Sequence, residues 1–268
     1  MSPKEPLPPE VRQARIRSYV NEHEFVRVSE LSEQFGISEV TARADLTTLE
    51  DAGHLRRVHG GAVPRSVHRA ERPFDLREDS LVADRSNIGA EAARRVRSGD
   101  AVLIDVGTTT TALARALVER TDLTEVAVFT NGLTIALELE TAFPRVSVVV
   151  TGGTLRPMQH SLVNPLGEGI LAEISASVAF IGCNGVDPTG GITNINLPEA
   201  EIKRRMVAAA RKRVVLADGR KVGVVELVRV CAIGDVDELI TDDRADAGVL
   251  DRIRELGVQV TVVAAAAG

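Results

Sequence analysis

Five short polar stretches in this sequence carry the residue types of a ligand site, and each follows a run of apolar residues. After AVLI comes Asp105-Val106-Gly107-Thr108-Thr109-Thr110-Thr111, and after AVF comes Thr130-Asn131-Gly132. After VVV comes Thr151-Gly152-Gly153-Thr154; after AFI come Gly182, Asn184, Gly185 and Asp187; after VVLA come Asp218 and Lys221. Short apolar runs bounded by turn residues read as buried strands. In an open parallel sheet, ligands bind beyond the carboxyl ends of the strands. The turn from Gly107 to Thr110 leads into a helix, whose free N–H groups and dipole, with the threonine hydroxyls, favour an anion such as phosphate. Lys221 can add positive charge, and Asp105 and Asp187 can accept from sugar hydroxyls. The turn is neither a GxGxxG nor a GxxxxGK[ST] loop, so a nucleotide is not implied. Each stretch alone has a plainer account. Thr110 or Thr111 can be a helix cap, Gly152-Gly153 a turn, and Asp218 to Lys221 a solvated loop. Their coincidence at successive strand ends favours a polar-ligand pocket.

A second constellation lies between Val26 and Val63. Ser29 reads as a helix N-cap ahead of Leu31 and Phe35, and Gly36 as the stop of that short helix. Ser38 is a second N-cap, opening a helix from Glu39 to Asp51 that Gly53 ends. Ala42, Leu46 and Leu49 share its inner face. Its outer side carries Val40, Ala44, Thr47 and Thr48, flanked by Thr41 and Arg43. Helix, tight turn, helix is the arrangement that sets a second helix into the major groove. The following HLRRVHGGAV reads as a small hairpin that lays Arg56, Arg57 and His59 along a phosphate backbone. Without the hairpin, a helical arm for protein contacts would account for the pattern as well. With it, DNA binding is the better account. Arg43, Thr41 and Thr47 are then the candidates for base edges, beside the cap Ser38.

The elements that must position both sets can be read from composition and order. The chain has 268 residues, 44% hydrophobic but only 3% aromatic, and no Trp. Its core must therefore be Val, Ile, Leu and Ala, which suits a buried parallel sheet packed by helices. The net charge is −6, which argues against the whole chain coating nucleic acid. Residues 1–72 hold 11 basic and 11 acidic side chains, and the remainder hold 21 and 27. Any phosphate contact in the first part must come from clustered arginines. Cys183 and Cys231 lack CxxC spacing, so buried thiols are expected, with no metal and no cofactor. No signal peptide or membrane span is legible, which places the protein in the cytoplasm. The chain divides into a loose tail (1–9), a winged helix-turn-helix domain (10–63), a linker (64–80) containing Phe74, and an α/β domain (81–268). Strands alternating with helices in the last part predict a doubly wound, mostly parallel sheet, including a strand at VCAIG.

Residues 12–62 resemble the winged helix-turn-helix of the DeoR family of bacterial transcriptional regulators. The resemblance rests on Arg12, Ile16, Val28, Leu31, Phe35, Ser38, Thr41, Arg43, Asp45-Leu46, Leu49-Glu50, Gly53, Leu55, Arg57 and His59-Gly60-Gly61-Ala62. Ala44 stands where the family usually has a second basic residue. Residues 81–243 resemble the family's sensor domain in DVGTTT, TNGLTIA, TGGT, LGEGI, AFIGCNGVDPTGGIT, EAEIKRRM and LADGRKVG. That domain is similar in fold to ribose-5-phosphate isomerase and the CoA transferases. Gly132 stands where the family often has serine, and Gly219-Arg220 departs from its usual residue before the lysine. The resemblance implies a homo-oligomeric regulator, dimer or tetramer, most often a repressor, that binds double-stranded operator DNA. It also implies a phosphorylated sugar as effector. By position it carries over Asp105, Gly107, Thr108, Thr109, Thr130, Asn131, Gly153, Asn184, Gly185, Asp187 and Lys221 as the effector pocket. The alternative is an aldose–ketose isomerase with a DNA-binding arm, using Asp105, Asp187 and Lys221. Against that enzyme, no acid/base pair stands at a characteristic short spacing.

Overall fold

The computed structural model describes residues 8–22, 26–52, 54–58, 60–64, 82–164 and 166–264. The expected tail (to residue 7), Gly53, His59, Phe74 and nearly all of the expected linker, and Pro165 lie outside the described residues, as does the side chain of Arg56. The chain forms two compact units, residues 1–71 and 72–268.

The first unit runs α1 (Pro9–Glu22), β1 (Val26–Arg27), α2 (Val28–Phe35), α3 (Glu39–Asp51), β2 (Leu55–Val58) and β3 (Gly61–Pro64). Ile16, Val20, Leu31, Ala42, Leu46, Leu49 and Leu55 form its core. Gly36 takes φ +63°, the left-handed turn that ends α2. Ser38 caps α3 by accepting from the Thr41 N–H at 3.1 Å. The expected cap Ser29 is instead inside α2, whose cap is Arg27. Two bonds move the start back. The Arg27 N–H donates to Glu30 at 2.8 Å, and the Val28 N–H to the Gly60 carbonyl at 3.0 Å. The wing hairpin thus fixes where α2 begins. α1 is held to α3 by buried Asp45, which accepts from Arg12 Nε at 2.6 Å and Gln13 Nε2 at 2.9 Å.

In the second unit, α4 (Val82–Ala93) is followed by β4 (Ala101–Ile104), α5 (Thr108–Glu119), β5 (Val126–Thr130), α6 (Leu133–Glu140) and β6 (Val146–Val150). A hairpin of β7 (Thr154–Arg156) and β8 (Ser161–Val163) leads to α7 (Leu166–Ala172), β9 (Ala176–Gly182), β10 (Gly185–Asp187) and β11 (Gly191–Asn194). Then come α8 (Leu197–Ala209), β12 (Ala210–Leu216), β13 (Val228–Cys231), β14 (Glu238–Asp242), α9 (Ala247–Glu255) and β15 (Gln259–Val263). Seven strands make a fully parallel sheet in the order β15-β14-β12-β9-β4-β5-β6. The order reverses between β4 and β9, the switch point where the crevice opens.

Two expectations need correction. The strand expected at VCAIG is β13, which pairs antiparallel with β11 in a separate three-stranded sheet. Asn184, Gly185 and Asp187 accordingly open that small sheet rather than ending at the edge of the large one. α4 stops at Ala93, and Arg95 just beyond it is bonded to Glu91 and to buried Glu238. Gly89 sits where a Cβ would lie 2.4 Å from the Ala112 carbonyl carbon, so α4 and α5 touch backbone to backbone. Among the described residues, no helix is long and apolar enough to cross a membrane.

Candidate functional site

On the first unit, the outer face of α3 is open. Val40 is 74% exposed, and Arg43, Ala44 and Thr48 are exposed beside it. Arg43 Nη2 lies 2.7 Å from Glu39 on the preceding turn, both side chains about half in solvent. Ser38 and Thr41 are turned towards each other, their hydroxyls 2.8 Å apart. They shape the helix entrance as well as facing outward. Arg57 reaches from the wing to Thr47, Nη1 to Oγ1 2.6 Å, while its own N–H donates to Glu50 at 2.7 Å. Wing and α3 therefore present one continuous surface with Arg43 and Arg57 on it. Val40 joins the candidate contacts on the strength of its exposure. An exposed apolar side chain at the leading turn of such a helix can meet a thymine methyl.

On the second unit, Asp105 ends β4 at the switch point and is fully buried. Its Oδ2 accepts from the Gly182 N–H at 3.1 Å and pairs with Lys203 of α8, itself 3% exposed at the side chain. Oδ1 has no hydrogen-bond partner. Burial pushes the Asp105 carboxyl up to about 6, against the pull of Lys203. Gly107 is the N-cap of α5, and its carbonyl accepts from the Thr110 and Thr111 hydroxyls at 2.9 and 2.8 Å. Those two threonines serve the turn. Thr108 is partly exposed, and Thr109 is buried with its hydroxyl unpartnered. Thr130 and Asn131 are fully buried and hold backbone. Thr130 accepts from the Gly132 N–H at 3.0 Å, and Asn131 accepts from the Val106 N–H at 3.0 Å while donating to the Leu162 carbonyl at 3.3 Å. Their place is behind the cradle, fixing its shape.

The remaining expected residues divide. Gly153 has φ +122°, and a Cβ there would meet the Val163 carbonyl oxygen at 2.2 Å, so it admits the β7–β8 hairpin. Asn184 accepts from the Ile195 N–H at 3.2 Å. Gly185 packs against the Val224 carbonyl. Asp187 accepts from the Thr189 and Gly190 N–H groups, both at 2.8 Å, and so closes the β10–β11 turn. Lys221 lies 3.7 Å from Asp218, near the end of β12. Burial pulls the Asp218 carboxyl up, but Lys221 and Arg220 outweigh it, leaving it below the usual range.

Sequence reasoning missed Lys203 and Glu199. Glu199 accepts from Ser161 at 2.8 Å and pairs with Arg156. The signal was available: Glu199, Lys203 and Met206 recur at i, i+4, i+7 on the inner face of α8, and all three are buried. Two charges on an inward face call for partners. An apolar cleft of about 490 Å³ lies at the start of this helix, lined by Thr154, Val163, Asn164 and Leu197 among others.

Both units match family models: a DeoR-like helix-turn-helix domain over residues 12–67 and a DeoR C-terminal sensor domain over residues 81–243. The chain belongs to the DeoR family of transcriptional regulators. The uncharacterized HTH-type transcriptional regulator YulB of Bacillus subtilis is 35% identical, over 94% of this chain and 96% of its own. The regulator GlpR of Haloferax volcanii is 34% identical, over 94% and 97%. The transcriptional repressor AccR of Agrobacterium fabrum is 32% identical, over 86% and 88%. Among solved structures, ribose 5-phosphate isomerase A of Methanocaldococcus jannaschii aligns at 18% identity over 51% of this chain and 52% of that one, with TM-score 0.38. The curated relatives are regulators by name, and this DeoR-family protein is a DNA-binding regulator rather than the isomerase alternative.

Proposed function

We propose that the protein represses a sugar-metabolism operon and that a phosphorylated sugar, bound by the second unit, controls its hold on DNA. The observation that carries this reading is the Asp105–Thr110 turn. It lies at the switch point of the parallel sheet, opens α5, and is braced by Asn131 and Lys203. Such a helix end favours a phosphate. Lys221 supplies a cation, and Asp105, buried and paired with Lys203, holds the turn in place from behind. The protein acts in the cytoplasm as a homo-oligomer, because paired recognition helices match the two half-sites of an operator. The effector works only through a difference in its affinity for the DNA-competent and incompetent states.

The direct test is fluorescence anisotropy on the region upstream of the protein's own gene, with a panel of sugar phosphates added. Binding to that DNA, altered by one phosphorylated sugar and not by the free sugar, is the expected result. Indifference to every phosphate tested would remove the effector reading. Lys221→Ala is expected to weaken sugar-phosphate binding severalfold in calorimetry, the effect of losing one partly exposed charge. Undiminished affinity would remove Lys221 from the site. Arg57→Ala is expected to weaken binding to all DNA sequences alike and to reduce the slope of log K against log salt by about 1, because a phosphate contact positions without specifying. A loss confined to one base pair would contradict that role.

A further inference from the structure

We propose that the edge strand β6 is the face through which two copies of this chain associate, each β6 pairing antiparallel with the other about a two-fold axis at Val148. This deepens the homo-oligomer reading above and rests on it. Among the described residues, β6 has β5 on one side and no strand on the other. The bonds that frame it fix which backbone groups point out. The Val126 N–H donates to the Arg145 carbonyl at 3.1 Å, and the Thr151 N–H to the Thr130 carbonyl at 3.0 Å. With Val126 beside Val146 and Thr130 beside Val150, residues 145, 147, 149 and 151 turn their backbone groups towards β5. Val148 and Val150 turn theirs to the open edge.

Such a row recruits a further strand unless charge, proline or a bulge blunts it. Val146–Val150 reads VSVVV and has none of these. Arg145, just before it, is turned back onto the carbonyls of Arg120 and Val118 at 2.8 and 3.1 Å. The opposite edge differs. Gln259 and Thr261 break the apolar run of β15, and the Ala264 carbonyl beyond it accepts from Asn87 at 2.9 Å. One face of the sheet is open at β6 as well. A single row across the sheet runs Ala179, Leu103, Phe129, Val149. Ala179 and Leu103 are fully buried under α7, α8 and α9, Phe129 is half-buried, and Val149 is exposed.

The strand is complementary to itself. A two-fold axis at Val148 sets that residue opposite its own copy, so that the two exchange both N–H···O bonds. Val150 then falls opposite Val146, whose carbonyl points the same way out and receives the Val150 N–H. Ser147 falls opposite Val149 on the open face. A strand without charge meets its copy without repulsion. The same axis turns Phe143 of each copy, 74% exposed, towards exposed Leu155 of the other. A contact of this kind uses one patch twice and closes at two copies, the number that paired recognition helices require.

The test is sedimentation equilibrium on the full chain, with folding checked by circular dichroism. Val150→Pro removes one outward N–H and no bond to β5, and an edge strand tolerates proline where its N–H faces out. It is expected to halve the mass of the wild-type assembly. The double variant Ser147→Cys, Val149→Cys tests the register. Those positions in opposite copies form a pair with Cα atoms about 4.5 Å apart, within the roughly 4.4–6.8 Å that a disulfide spans. Mild oxidation is expected to give the double variant a covalent dimer that a thiol reductant reverses. Neither single variant should form one, nor the wild type, whose Cys183 is buried and Cys231 half-buried. Should Val150→Pro not fold, the cysteine pair decides. Wild-type mass in a folded Val150→Pro, or no reducible dimer from the double variant, overturns the proposal and leaves the homo-oligomer reading in place, with this edge free for another chain. A monomeric wild type overturns both.

Discussion

Lys203→Met is expected to cost the second unit about 3–5 kcal/mol of stability at neutral pH, the typical loss when one partner of a buried ion pair is removed. The substitution is close in length and apolar, so packing changes little. What changes is Asp105, which keeps the Gly182 N–H but loses its cation in a site with no solvent access. The pH dependence identifies the cause. In the wild type the folded-state carboxyl is raised from 3.8 to about 6, so the folded protein binds this proton more tightly than the unfolded chain does. Asp105 therefore costs most stability above pH 6, and the cost is relieved as the pH falls from about 6 towards 3.8. Without Lys203 the folded-state value climbs further, because burial is then less opposed. The deficit of the variant relative to wild type should thus be large at pH 7.5 and clearly smaller at pH 5. Urea denaturation at the two pH values measures it. Asp105→Asn added to Lys203→Met should restore much of the loss. An equal deficit at both pH values, or a double variant no more stable than the single one, would mean that the charge is not what matters.

This pair also marks where the sequence stops being legible. The seven strands of the parallel sheet could be found because most are short apolar runs, and the helix after the first of them because the Gly107 turn stands at its start. The helix-turn-helix was legible for the same local reasons, Gly36 in a left-handed turn and Ser38 as a cap. The small antiparallel sheet was not. Gly185–Asp187 and Gly191–Asn194 are too short to show a period, and the turn that joins them depends on Asp187 accepting two N–H groups. The ligand set was legible as a place but not as roles. Thr130 and Asn131 do occupy a strand end, yet their side chains are turned onto nearby backbone. Lys203 comes from a helix far from the end of β4 in sequence, and only the switch point between β4 and β9 gathers it near Asp105. Strand-end reasoning finds the residues directly after each strand and overlooks those that a helix delivers from behind.

Arg43→Ala is expected to reduce discrimination between the operator and near-operators by about 1–3 kcal/mol, roughly tenfold to hundredfold, if Arg43 makes a bidentate contact with a base edge. The geometry favours such a contact. Its bond to Glu39 is between two half-exposed side chains one helical turn apart, and such pairs contribute only about 0.3–0.5 kcal/mol. Releasing Arg43 into the groove therefore costs much less than the contact returns. Arg57 is in the opposite situation, with its guanidinium on Thr47 and its N–H on Glu50. It is held as part of the surface and is suited to the regular spacing of phosphates. Titration against an operator panel with single base-pair changes separates the two roles. Arg43→Ala should flatten the preference at one or two adjacent positions, whereas Arg57→Ala should lower the whole panel together. Glu39→Gln provides the internal control. Removing that carboxylate frees Arg43 and takes a negative charge from a surface that faces phosphate, so affinity for every sequence should rise while the order of preference stays. If Arg43→Ala leaves that order untouched, the base contact must be sought in Thr41, Thr47 and the exposed Val40 instead, and α3 would then read its site through apolar and hydroxyl contacts without an arginine.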